Sequence, residues 1–130
     1  MSAAASDSDA WTALGAELDA WAAAGREALI WWRDDDATAP SDALLRLLDL
    51  AAATEAPLAL AVIPAKAKRE LDALLERHGA ETAVLQHGFA HENHAPAGTK
   101  KCELVSPASR ETGPDELRQG RESLARRFPA

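Results

Sequence analysis

At 130 residues the chain is the size of one domain and can bury a modest core. Its 47% apolar and 27% charged residues exclude an intrinsically disordered chain. The formal net charge of −7 argues against a nucleic-acid partner, because a phosphate-binding face needs a surplus of Lys and Arg.

The basic residues cluster at Lys66–Arg69 and Arg118–Arg127, interleaved with acids, and read as solvated helix faces. One cysteine, Cys102, leaves no internal disulfide and no Cys-based zinc site. Met1–Asp9 has neither a basic n-region nor an apolar h-region, and no apolar run approaches the ~20 residues of a membrane span. A soluble, cytoplasmic protein is expected. Much of the apolar share is alanine, so the core is expected to rest on Leu, Val, Ile and the four Trp.

Residues 1–9, rich in Ala, Ser and Asp, read as a disordered leader ahead of a single α/β domain over 10–130. Trp11, Leu14, Leu18 and Trp21 then recur at helical spacing, with Gly25 as the stop. Ala28–Trp32 is an apolar run too short for a helix. It reads as a buried strand that ends in Arg33-Asp34-Asp35-Asp36. Ser41 caps a helix whose inner stripe is Leu44, Leu47, Leu48 and Ala51. Leu58–Ile63 is a second apolar strand, closed by Pro64. Ala65–His78 is a helix with Leu71, Leu74 and Leu75 inward, Arg77 and His78 at its negative end, and Gly79 as the stop. Thr82–Gln86 is a third strand running straight into His87. The polar stretch from His87 to Gly113 reads as loop, and Thr112-Gly113-Pro114-Asp115 as the start of a helix carrying Leu117, Leu124 and Phe128 on one face. Alternating strands and helices with apolar strands predict parallel βαβαβ units covered on both faces.

Two polar clusters fall at the C-terminal ends of predicted strands, the edge on which parallel sheets build their sites. One is Asp34-Asp35-Asp36. The other is His87-Gly88-Phe89-Ala90-His91, with His94 close behind. Consecutive carboxylates repel one another, and a divalent cation resolves that conflict. Two imidazoles spaced H-x3-H plus one carboxylate supply three ligands and leave a position open, the pattern of catalytic zinc. Either cluster alone has a plainer reading, the acids as a solvated capping loop and the histidines as loop polar groups. Their joint placement on two strand ends favours a metal site.

Ile30-Trp31-Trp32-Arg33-Asp34-Asp35-Asp36-Ala37 resembles the Asp-Asp motif of the polysaccharide deacetylase (carbohydrate esterase) superfamily. His87-Gly88-Phe89-Ala90-His91 resembles its His-(Ser/Thr)-x-x-His motif, and the interval between the two motifs also matches. The resemblance covers roughly residues 28–95, the N-terminal half of that fold. It implies part of a deformed (β/α) barrel, one divalent metal (zinc by preference), and an acylated carbohydrate substrate. Carried over, Asp35 is the general base, and Asp36, His87 and His91 hold the metal. Asp34-Asp35 is the alternative register, and Asp34 and His94 are additional candidates. Ala37 stands where the family has Gly, and Gly88 where it has Ser or Thr. The family's Arg-Pro-Pro-aromatic stretch and its late Leu-x-His, the source of the general acid, have no counterpart here.

The implied chemistry is metal-assisted hydrolysis of an amide, with Asp35 taking a proton from water. The alternatives are a truncated or degenerate, non-catalytic metal- or carbohydrate-binding module of the same fold, and a phosphoesterase, which would carry more than one metal. Trp31 and Trp32 read as core, with sugar stacking as the alternative, and Cys102 as a bystander. A three-stranded sheet has an open edge, so self-association is expected.

Overall fold

The computed structural model describes residues 7–78, 82–105 and 107–129. The chain divides into two compact units, Met1–Ile30 and Trp31–Ala130. The first holds helix α1, Asp7–Ala23. α1 takes in Asp7–Asp9, which composition assigns to the leader; residues 1–6 of that leader lie outside the described residues. The helix stops at Gly25, which has φ 66. The Gly25 N–H donates to Ala22 O and the Arg26 N–H to Trp21 O, satisfying the last carbonyls in a left-handed C-cap.

The second unit is α/β. Strands β1 (Trp32–Ala37), β2 (Leu58–Val62) and β3 (Thr82–Gln86) form a parallel sheet in the order β1-β2-β3. Helices α2 (Asp42–Thr54) and α3 (Arg69–His78) are the crossovers, and α4 (Pro107–Arg127) follows. β2 is central and entirely apolar. Leu58, Leu60 and Val62 lie on one face with Trp32 and Val84, packed by Leu44, Leu48 and Ala51 of α2, Leu71, Leu74 and Leu75 of α3, and Leu124 of α4. Leu48, Leu58, Leu60, Leu71 and Val62 are fully buried, and each such side chain contributes about 1.5–3 kcal/mol.

Several expectations are corrected. Ala28–Trp31 form no strand, and β1 is instead the polar run Trp32–Ala37. Trp32 pairs with Leu58, the first residue of β2, so the residues before it have no ladder to join. Trp31 is 66% exposed, and the buried cluster holds no tryptophan; Trp32 packs against it half-buried and donates its Nε1–H to Ala56 O. The second face of the sheet is open at β3, where Ala83 and Leu85 are exposed, whereas Ala61 beside them on β2 is fully buried. α3 begins at Arg69 rather than Ala65, because the N–H groups ahead of it bond elsewhere. Lys66 and Ala67 donate to Ile63 O, Ala65 to Phe89 O and Lys68 to Thr38 O. Gly79, the proposed stop, lies outside the described residues.

α4 begins at Pro107, so part of the expected loop is helical and Pro114 lies inside it. Proline suits the first turn of a helix, where its missing N–H is no loss. Leu124 and Phe128 pack inward as expected. Gly120 sits where an added Cβ would come within 2.6 Å of Gln86 Nε2 and 2.9 Å of Pro64 Cγ, so α4 crosses the end of β3 at a distance only glycine allows. Arg127 ties the far end of α4 to α3. Its Nε donates to both Asp72 carboxylate oxygens at 3.0 Å, and its Nη1 and Nη2 to the carbonyls of Ala67 and Lys68.

Candidate metal centre

The C-terminal ends of the strands are bound together by backbone bonds. Ile63 N–H donates to Ala37 O and His87 N–H to Val62 O, so the end of β2 holds both the carboxylate segment and the first histidine. The turn after β2 extends this grip through the Lys68–Thr38 and Ala65–Phe89 bonds. The site therefore hangs from the most deeply buried strand of the sheet.

β1 is irregular just at its acids. Asp34 pairs with Leu60 and Ala37 with Val62, so three steps on β1 oppose two on β2. Asp36 takes the left-handed conformation, φ 66, which Asp tolerates better than most side chains. In a regular strand neighbouring side chains point to opposite faces. The bulge breaks that alternation and brings Asp35 and Asp36 to the same imidazole. Asp36 Oδ1 lies 3.1 Å from His87 Nε2, and Asp35 Oδ1 lies 3.8 Å from His87 Nδ1.

His91 completes the group, its Nε2 3.5 Å from Asp36 Oδ1 and its ring centroid 4.8 Å from that of His87. The ligand atoms of Asp36, His87 and His91 all lie within 4.8 Å of one another. Two donors about 2.0–2.1 Å from a tetrahedral zinc stand about 3.3 Å apart. The two Asp36–histidine separations, 3.1 and 3.5 Å, bracket that spacing. By donor type and reach, the three residues fit one divalent ion. Among the described residues this is the only such group, and it contains neither Asp34 nor His94.

Asp35 is held by Arg33, two residues back on the same strand. Arg33 Nε donates to Asp35 Oδ1 at 2.6 Å, and its Nη2 lies 3.2 Å from His87 Nδ1. Asp34 is half-buried and lines, with Asp35, Asp36 and the start of α2, a cavity of about 360 Å³ beside the site. His94 is a loop hydrogen-bonder: its N–H donates to Cys102 O and its Nδ1 meets Glu103 O at 2.7 Å. Cys102 is a free, exposed thiol.

The sequence reading overlooked Glu103. Its Oε1 accepts the N–H groups of Phe89, Ala90 and His91 at 3.3, 2.7 and 3.0 Å. Burial pushes this carboxyl up, but the three backbone donors outweigh it and hold the group below its ordinary value. Gly88, with φ 58, lies directly under this carboxylate, where an added Cβ would collide with Glu103 Oε2. That accounts for glycine at a position where the resemblance leads one to expect Ser or Thr. Nothing in local spacing marks Glu103, because an aperiodic loop separates it from its partners. The Arg33–Asp35 pair follows from residues two apart on a strand sharing a face, but the strand expected from the sequence stops before Arg33.

Against family models, curated proteins and solved structures, the chain has no match.

Proposed function

We propose that this chain is a metal-dependent hydrolase that removes an acyl group, in the first instance acetyl, from an N-acylated sugar or related amide. Asp36, His87 and His91 would hold one divalent ion, zinc by donor type. When bound, such an ion supplies Lewis acidity, which eases the ionisation of water and polarises a carbonyl. Asp35 is the base that accepts the water's proton, and Arg33 orients its carboxylate. The half-buried His87 is steadied from its backbone by the bond to Val62 O.

The observation that carries this reading is the bulge in β1. A lone metal-binding carboxylate needs no bulge, whereas a ligand and a base on adjacent residues that reach one imidazole do. The test is Asp35→Asn against Asp36→Asn in the full chain, with zinc content measured by elemental analysis and deacetylation of N-acetylated sugar oligomers measured as released amine. Asp35→Asn should keep about one zinc per chain and lose hydrolysis, and Asp36→Asn should lose both. Zinc content unaffected by Asp36→Asn sinks the metal site.

A non-catalytic metal-binding module is the second reading, favoured by the Arg33 grip on Asp35 Oδ1, which occupies the base. In that case the wild type binds zinc and releases no amine. A phosphoesterase with two metals is disfavoured by the single ligand group among the described residues.

A further inference from the structure

We propose that Glu103 is a positioning residue for this centre, a built-in anion that folds Gly88–His91 into the shape in which His91 faces Asp36. The inference rests on the metal reading above and adds to it a residue outside both motifs.

Phe89, Ala90 and His91 point three successive N–H groups at one carboxylate, with Phe89 also reaching Oε2 at 3.2 Å. Successive N–H groups turned to one side form a concavity that binds anions. Its two ends are left-handed, Gly88 at φ 58 and His91 at φ 53. A histidine takes that conformation more readily than most side chains but still at a cost, which a partner for the backbone offsets. Glu103 is that partner. It is itself presented from a fixed rung: His94 N–H donates to Cys102 O, Cys102 N–H to Asn93 Oδ1, and His94 Nδ1 meets Glu103 O.

The two histidines are thus secured by different means. His87 is tied to the sheet through Val62 O. The His91 backbone N–H donates to Glu103. Without that carboxylate three N–H groups turn to solvent and His91 is released, while Asp36 and His87 stay in place.

The test uses Co²⁺ as probe, titrated by visible absorption into the full chain, with amide exchange at Phe89, Ala90 and His91 followed by NMR in the absence of metal. Glu103→Ala should weaken Co²⁺ binding roughly 10–100-fold, the usual effect of removing a group that orients a ligand. Exchange at the three amides should quicken while Leu60 and Val62 stay protected, which verifies the fold. Added formate should recover much of the affinity by filling the vacated concavity. Glu103→Gln, which keeps an oxygen in the place of Oε1, should lose less. Unchanged Co²⁺ affinity in Glu103→Ala, or a loss that neither formate nor Gln restores, overturns the positioning role alone. Failure of the wild type to take up Co²⁺, or uptake indifferent to His91→Ala, overturns the metal reading and the positioning role with it, whatever the amides show.

Discussion

Arg33 Nη2 stands between two groups of the centre, 2.5 Å from Asp35 Oδ1 and 3.2 Å from His87 Nδ1. A guanidinium only donates, so His87 Nδ1 must accept here, and the ring proton sits on Nε2, aimed at Asp36 Oδ1. A metal taken by His87 Nε2 needs that nitrogen bare and the proton on Nδ1, where Arg33 N–H faces it. Arg33 and the metal therefore favour opposite tautomers of one histidine. Arg33→Leu should raise Zn²⁺ affinity several-fold, because Asp35 is then free to accept a hydrogen bond from Nδ1–H. In the same variant hydrolysis should fall, because Asp35 loses the group that orients it. Competition with a chromophoric chelator reads the first effect and amine release the second; an affinity that drops with the arginine would count against the tautomer argument.

Asp36, like His91, is a metal-ligand candidate whose backbone is left-handed. At φ 66 a residue with a Cβ is strained by about 1–2 kcal/mol, and glycine is not. Asp36→Gly should therefore be more stable than Asp36→Ala by about 1 kcal/mol, while both lose the metal. Thermal unfolding of the metal-free variants checks it. Equal midpoints would mean that the bulge relaxes when the aspartate is removed.

The two elements of this site differed in how openly the sequence displayed them. His87 follows a strand, Thr82–Gln86, whose bounds agree with expectation, because a short run of β-forming residues advertises itself by composition. β1 did not. The apolar run Ala28–Trp32 drew the eye, yet strand pairing is decided by what lies alongside, and β2 begins opposite Trp32. An edge strand with an exposed face admits Arg33, Asp35 and Asp36, which an apolarity rule rejects. The bulge and the Glu103 contacts join residues far apart in the chain, so no local pattern carries them. Ser41 as the cap of α2 was legible because capping is local, its Oγ accepting the Leu44 N–H at 3.1 Å.

Gly88 is predicted to be irreplaceable on two separate grounds. Its φ of 58 disfavours any side chain, and the space a Cβ needs is filled by Glu103 Oε2. Gly88→Ala should destabilise the protein by about 1–3 kcal/mol and displace the loop that carries His91. In Gly88→Ala/Glu103→Ala the steric part disappears, so the double variant should be less destabilised than the sum of the single ones. A double-mutant cycle by chemical denaturation measures this, and strict additivity would rule out the contact.

Far from the site, Arg127 tests whether α4 is an integral part of the fold. Its guanidinium spans the Asp72 carboxylate and the carbonyls of Ala67 and Lys68, three acceptors at the point where the turn after β2 leads into α3. Arg127 and Asp72 are mostly buried, at 19% and 30% side-chain exposure, so removing the arginine leaves a carboxylate poorly solvated. Arg127→Ala should cost about 1–3 kcal/mol, and Arg127→Lys most of that, since one ammonium cannot reproduce the fork. The same turn supplies the Lys68–Thr38 and Ala65–Phe89 bonds that frame the metal centre. Loosening it should therefore weaken Zn²⁺ binding modestly even though no ligand is touched. Urea titration gives the stability and chelator competition the affinity; a loss of stability with wholly unchanged affinity would separate the two ends of that turn.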